Sequence, residues 1–194
     1  TGEFRGQMNF NFRDESLNAR NAFNVTTNGT EAKRPPYQAR NFNTNFSGPL
    51  IRNKLSMNLQ ARNNESENSN IIRATVLGSN GELKQLYDPV VLPTSNRQIG
   101  GNTQFSINRN NTLYTNFRYQ KQENRNQGVG DFNLVERASS RKSHGSEFQI
   151  RESSILSSSL VHEVRFRHNR DSQSQTPQTI GVGISVLDTF TGGG

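Results

Sequence analysis

The stretch "GEFRGQMNFNFRD", residues 2–14, alternates between apolar or small side chains and polar side chains at almost every step. One parity holds Phe4, Gly6, Met8, Phe10 and Phe12. The other parity holds Glu3, Arg5, Gln7, Asn9, Asn11 and Arg13. Successive side chains of a β-strand point to opposite faces, so this pattern predicts a strand with one apolar and one polar face. The question it raises is what the apolar face contacts.

The composition leaves little apolar material for a protein core. Only 29% of the residues are hydrophobic, and the mean hydropathy is -0.86. A soluble globular domain has roughly 45–50% apolar residues. Such a composition is typical of disordered chains, but the strict alternation argues against disorder. It is also typical of a membrane β-barrel, where lipid solvates the outer face and the inner face stays polar.

Alternating stretches predict seven strands, at residues 3–14, 40–46, 54–62, 102–108, 112–120, 146–152 and 159–168. The links at 47–53, 109–111 and 153–158 are short, whereas those at 15–39, 63–101 and 121–145 are long and polar. In outer-membrane barrels, short turns face the periplasm and long loops face outward. We therefore predict an all-β, antiparallel, up-and-down transmembrane β-barrel. It is partial, because closed bacterial single-chain barrels have an even number of strands.

Three links carry more detailed expectations. The segment "SGPLIRN", 47–53, predicts a Gly-Pro turn. The apolar segment "LKQLYDPVVLP", 83–93, is expected to be a loop that packs on itself around Tyr87 and Leu92, with a ligand-contacting segment as the alternative. Residues 171–194 are expected to begin a fourth outer loop.

The charged and nucleophilic residues give no catalytic or metal-binding pattern. The net charge is +7, but the basic residues are scattered among apolar ones along the predicted strands, so we expect no nucleic-acid partner. Cysteine is absent, which excludes disulfides and thiolate metal sites. His162 and His168 would lie roughly 20 Å apart on one strand, too far to bind one ion. We therefore expect no enzymatic activity, no metal and no cofactor.

Four segments resemble the barrel of Oar-like TonB-dependent outer-membrane receptors of Gram-negative bacteria. They are "FRDESLNARNAF" (12–23), "RPPYQARNFNTNFSGPLIRNKL" (34–55), "NQGVGDFNLVERA" (126–138) and "SSLVHEVRFRHNR" (158–170). The segments follow the order of the family. Where the family usually has two glycines before a proline, this chain has Ser47-Gly48-Pro49.

The resemblance implies a receptor or transporter in the outer membrane, in contact with outer-membrane lipid. It would take up an unidentified substrate, with energy supplied by the TonB complex through a plug segment. Residues 1–194 are then expected to be a fragment of one barrel domain, with the plug and N-terminal domains absent. Arg5, Asn9, Arg118 and Arg165 are expected to line the lumen, and Tyr87 is a candidate for substrate contact in an outer loop.

A secreted or surface-exposed β-rich binding protein without transport activity is the alternative. The two hypotheses differ in what covers the apolar parity of the strands. A barrel in a membrane places five residues on one outward face, namely Phe10, Phe46, Met57, Phe117 and Phe166. A soluble β-sandwich would instead bury them against a second sheet.

Overall fold

The computed structural model describes residues 2–17 and 36–193 of the chain. Nine strands are present in these ranges: β1 (Arg5–Asp14), β2 (Gln38–Ile51), β3 (Leu55–Leu77), β4 (Leu83–Ser106), β5 (Asn111–Gln127), β6 (Ser139–Ser157), β7 (Leu160–Pro177), β8 (Ile184–Val186) and β9 (Phe190–Gly192). Single turns of 3₁₀ helix lie at Glu15–Leu17 and Val135–Arg137. The predicted all-β class is confirmed.

Strands β1 to β7 form one antiparallel sheet in which each strand pairs with its neighbour in sequence. This is the predicted up-and-down order. Within the described residues the sheet is not closed, because β1 and β7 are its two edges. The short hairpin of β8 and β9 forms a separate two-stranded sheet.

The prediction of a long loop at 63–101 is wrong. Strands β3 and β4 pair without a register shift from Leu55–Phe105 to Leu77–Leu83, so that segment is almost entirely strand. β2 pairs with β3 only as far as Glu67, and β5 pairs with β4 only from Thr94 onward. The β3–β4 hairpin therefore projects beyond its neighbours, and we call residues 68–92 the hairpin extension. The loop predicted at 121–145 is also shorter in the structure, where it spans residues 128–138.

The expected Gly-Pro turn is also a strand. Gly48 and Pro49 lie in β2 and pair with β3, and the chain reverses at residues 52–54, where Asn53 has a φ of 58°. The ring of Phe4 covers Gly48, and a Cβ there would lie 2.1 Å from a ring carbon. Gly48 therefore accommodates the close approach of this ring and does not form a turn.

Two further expectations about loops are corrected. Segment 83–93 does not pack on itself, because it forms the first half of β4 and pairs with β3. Residues 171–177 continue β7, and the chain then forms the β8–β9 hairpin. The long link between β1 and β2 lies mostly outside the described residues, as does much of "SLNARN" in the 12–23 segment.

The register places an alternating, largely apolar set of residues from each of the seven strands on the same face. One row of direct cross-strand partners runs Gly6, Phe46, Leu59, Gly101, Phe117, Phe148 and His168. Neighbouring rows on this face complete what we call the apolar band: Met8, Phe10, Thr44, Met57, Leu55, Ala61, Ile99, Thr103, Phe105, Leu113, Thr115, Tyr119, Ile150, Val164 and Phe166.

Very few apolar side chains are buried in the described part of the chain. They are Ala39, Ile72, Ala74, Val129 and Ala138. The apolar band is open by contrast, with Phe10 at 66% and Phe166 at 59% of full exposure. The ladder of backbone hydrogen bonds and the cross-strand side-chain pairs therefore hold this sheet together, and hydrophobic burial contributes mainly at the hairpin extension.

Candidate functional site

The opposite face of the sheet is polar from edge to edge, and we call it the polar face. The four residues predicted to line a lumen all lie on it. Arg5 begins a row that crosses β2 to β5 through Ser47, Asn58, Asn102 and Asn116. Asn9, Arg118 and Arg165 lie in other rows of this face, opposite Asn43, Glu147 and Arg151 respectively. The sheet therefore aligns these residues on one surface, spread over its full width.

Side-chain hydrogen bonds link neighbouring strands across the polar face. Arg62 donates from Nε to the Asn43 Oδ1 at 2.9 Å, and Asn58 donates to the Asn45 Oδ1 at 3.1 Å. Near the other edge, the Arg167 guanidinium donates to the Gln149 Oε1 at 3.0 Å. Amide and guanidinium groups held by such hydrogen bonds present donors and acceptors in fixed positions to a polar ligand.

Two open grooves lie on the polar face. The first has a volume of about 700 Å³ and is lined mainly by amides, including Gln7, Asn9, Asn41, Asn43, Gln60 and Gln98. The second has a volume of about 660 Å³ and includes Arg5, Asn102, Tyr114, Asn116, Gln149 and Arg151. In the second groove the Arg151 guanidinium lies 4.3 Å from the centre of the Tyr114 ring. Both grooves have the size of small-molecule sites.

The β5–β6 loop, residues 128–138, crosses the polar-face side of the hairpin extension. It reaches the free edge of β3, where Arg73 donates its backbone N–H to the Asp131 carbonyl at 2.7 Å. The Asp131 N–H donates in turn to the Ile71 carbonyl at 2.8 Å. The end of the chain joins this loop, because Leu134 donates to the Thr191 carbonyl at 2.9 Å. We call these paired pieces, residues 128–138 and 184–192, the cap.

A small core attaches the cap to the hairpin extension. Ile72 and Ala74 of β3 are buried together with Val129 and Ala138 of the loop. Half-buried side chains surround them, namely Val76, Leu86, Val90, Leu134 and Phe190. Ile72 and Ala74 have the parity of the polar face, so this face changes from polar to apolar where the cap covers it.

Gly130 permits a close approach of the cap to β3. Its φ is 131°, a region that L-residues rarely adopt, and a Cβ there would lie 3.0 Å from the Cβ of Asn70. Asn70 in turn donates from Nδ2 to the Val129 carbonyl at 2.9 Å. Sequence reasoning missed these residues, although "IIRATV" at 71–76 is an apolar cluster inside a segment predicted to be a loop.

Tyr87 is not at the polar face. It lies in β4 opposite Arg73, has the parity of the apolar band, and is 54% exposed. The hairpin extension therefore carries Tyr87 on the face of the apolar band, opposite the face that holds the two grooves and the cap.

Carboxylates lie on the apolar-band side of the sheet, between the band and the hairpin extension. The pKa of Glu65 is lowered chiefly because Arg97 donates a hydrogen bond to its carboxylate at 2.9 Å, and Asn63 donates another at 3.3 Å. The pKa of Glu123 is lowered chiefly by the hydrogen bond from Arg125 at 2.8 Å. Both groups therefore favour the ionised form in the folded chain.

The lowered pKa of Glu65 predicts a small acid-dependent contribution to stability. A group whose pKa is lower in the folded state stabilises the fold above its unfolded pKa, near 4.5, and this contribution is lost as the pH falls through the folded pKa. Glu65→Gln is expected to cost under about 1 kcal/mol at neutral pH, because the pair is partly exposed to solvent. The cost should shrink in acid.

Denaturant unfolding in detergent micelles, at neutral pH and at about pH 3, measures this difference. Glu82→Gln, in the exposed turn between β3 and β4, is the matched control. A Glu65→Gln cost that stays constant or grows in acid contradicts the assigned ion pair.

Comparisons with known proteins add no family assignment, since no family model, curated protein or solved structure matches the chain. Within residues 2–17 and 36–193, no helix has the length and apolar character needed to span a membrane. Nor does this part of the chain contain a cluster of three or more His, Asp or Glu side chains placed to hold a metal ion.

Proposed function

We propose that the chain forms part of the wall of an outer-membrane β-barrel, in a receptor of the TonB-dependent type that takes up a substrate across that membrane. The observation that carries the membrane part of this proposal is the apolar band. It crosses all seven strands, and within the described residues no second sheet packs on it. Large contiguous apolar surfaces of this kind mark contact with a membrane or a partner.

The height of the band favours contact with a bilayer over contact with a protein partner. From Leu113 to Tyr119 the band measures roughly 20 Å at about 3.4 Å per residue. On the same parity as the band, the first stretch carries apolar residues from Phe4 to Phe12, over roughly 27 Å. The apolar belt of an outer-membrane barrel is about 25 Å tall. The polar face opposite then faces a wet lumen, where the two grooves lie.

The two ends of the sheet fit opposite sides of the membrane. Tight turns at 52–54, 107–110 and 158–159 lie at one end. The hairpin extension and the cap lie at the other end. Barrels of this class have short periplasmic turns and longer outer loops. The cap is therefore assigned to the cell exterior, where it lies on the lumen side and takes part in substrate capture.

The receptor type rests on the four segments that resemble the Oar-like family. In that family, energy coupling needs a plug and a segment that contacts the TonB complex. Substrate contacts are assigned to the polar face, with Arg5, Asn9, Arg118 and Arg165 as candidates.

Spin-label depth measurement tests the membrane assignment. Single cysteines replace Phe10, Asn11, Phe117 and Arg118 in turn, and the chain has no native cysteine to interfere. In lipid vesicles, labels at 10 and 117 are expected to collide with oxygen, which partitions into lipid, and labels at 11 and 118 with a water-soluble nickel chelate. If all four labels are shielded from both quenchers, the band is buried in protein and the surface-binding alternative replaces this proposal.

A further inference from the structure

Carboxamide side chains stand in register on the polar face from β1 to β5. One row of direct cross-strand partners consists of carboxamides alone, namely Asn11, Asn41, Asn64, Asn96 and Gln122. The next row toward the tight turns holds Asn9, Asn43, Arg62, Gln98 and Gln120. We call these two rows the amide ladder. The first groove lies on its β1–β4 part.

The first groove carries almost no charge. Among the described residues that line it none is acidic, and Arg62 alone is basic. The charges of the polar face pair with one another on β6 and β7, where Arg151 and Arg165 lie 3.8 Å and 2.8 Å from the Glu163 carboxylate. A charged ligand in the first groove would lose hydration and gain little opposite charge. The groove therefore favours an uncharged ligand.

The carboxamides of the ladder keep most of their hydrogen-bonding capacity free. Within residues 2–17 and 36–193, five of those that line the groove make no side-chain hydrogen bond, namely Asn9, Asn11, Asn41, Asn64 and Gln98. A carboxamide has two N–H donors and one oxygen acceptor, and a hydroxyl group likewise both donates and accepts. Free carboxamides in a row therefore match a ligand that carries many hydroxyl groups.

The spacing of the ladder distinguishes a saccharide from a peptide. Neighbouring strands lie about 4.8 Å apart, which is close to the length of one pyranose ring. A linear oligosaccharide that crosses the strands meets one side chain of each row per sugar unit. An extended peptide repeats its side chains on one face only every ~6.8 Å, and no large apolar side chain lines this groove among the described residues.

We propose that the amide ladder binds an uncharged oligosaccharide, which crosses β1 to β5 with its hydroxyl groups hydrogen-bonded to the carboxamides. This inference names the substrate class of the proposed receptor and rests on the assignment of the polar face to its lumen. Arg62 donates to the ladder itself, because its Nε bonds to the Asn43 Oδ1 at 2.9 Å. The charged half of the face, on β6 and β7, lies outside the site.

An oligosaccharide array tests the ligand class. The full chain in detergent micelles, labelled at its N-terminal amine, is applied to neutral, uronic-acid and sialylated oligosaccharides. Acetylated and amidated peptides of similar length are spotted beside them. We expect retention on neutral oligosaccharides and none on the acidic ones or the peptides. Absence of retention on every neutral oligosaccharide overturns the proposal, and preferential retention on acidic glycans or peptides overturns the assigned class.

Two single variants test the place of binding. Asn41→Asp and Asn64→Asp each replace the N–H donors of one ladder residue by a carboxylate oxygen of the same size. Each is expected to weaken binding of the retained oligosaccharide about fivefold, the effect of about one net hydrogen bond. Calorimetric titration in the same detergent measures this change.

The matched control is Gln173→Glu, which adds the same charge to the polar face on β7, opposite Ser143 and away from the ladder. It is expected to leave the affinity unchanged. Equal weakening in the control, or no weakening in either ladder variant while circular dichroism shows the strands intact, overturns the assigned site. If the depth labels show that residue 117 is not in lipid while neutral oligosaccharides still bind the ladder, the barrel proposal fails and the saccharide site stands.

Discussion

Phe117→Arg is expected to destabilise the chain folded in a phosphatidylcholine bilayer by about 2–4 kcal/mol. This is the cost of a cationic side chain near the midplane on the lipid-facing side of a barrel. Phe117 lies in the row that crosses the apolar band and pairs directly with Phe148 of β6. An arginine side chain at this position must either give up its hydration or draw water into the bilayer. Its direct cross-strand partners, Gly101 and Phe148, have no side-chain acceptor for its hydrogen bonds.

The matched control is Asn116→Arg, one residue earlier on the same strand. Its side chain has the opposite parity and lies on the polar face between Asn102 and Gln149. Asn116 is half-buried and lines an open polar groove, so we expect its substitution to change stability by only about 0.5 kcal/mol. Urea unfolding of the chain from vesicles, followed by circular dichroism because tryptophan is absent, measures both variants. Equal costs for the two would contradict a lipid-facing band.

Ile72→Ala is expected to release the cap from the hairpin extension. Ile72 is 1% exposed and is the largest fully buried side chain in the described structure. Truncation of a buried isoleucine costs about 2–5 kcal/mol through lost burial and the cavity that remains. The cap core contains few other buried residues, so this cost is a large share of the free energy that holds the loop on β3. The cap should therefore open while the seven-stranded sheet persists.

Hydrogen exchange measures this release directly. The amide hydrogens of Arg73 and Asp131, which donate across the contact between β3 and the loop, are expected to exchange faster in Ile72→Ala. Those of the β4–β5 pairing near Gly101 should not change. Leu77→Ala, at the 67% exposed end of the same strand, is the control and should leave both sets protected. Unchanged protection at Arg73 in Ile72→Ala would mean that backbone pairing alone holds the cap.

The seven strands of the main sheet, their order and its two faces were predictable from the sequence because they depend on local alternation. In β1, β5 and β7 apolar residues recur with a period of two, interrupted by Thr115 in β5 and His162 in β7. Such a pattern is incompatible with a helix. The same parity assigned Arg5, Asn9, Arg118 and Arg165 to one face, and the register of the sheet keeps them there.

The hairpin extension and the cap were decided by the tertiary structure. The segment "NNESENSN" at 63–70 contains no apolar residue, so alternation cannot reveal a strand there. Pairing with β2 as far as Glu67, and with β4 throughout, extends the strand. Beyond this segment the apolar parity reverses, from the unburied Leu59 and Ala61 to the buried Ile72 and Ala74, because the cap covers the polar-face side. Which side of a strand is buried depends on what packs there, and a loop arriving from the far side of β4 leaves no signal in the local sequence of β3.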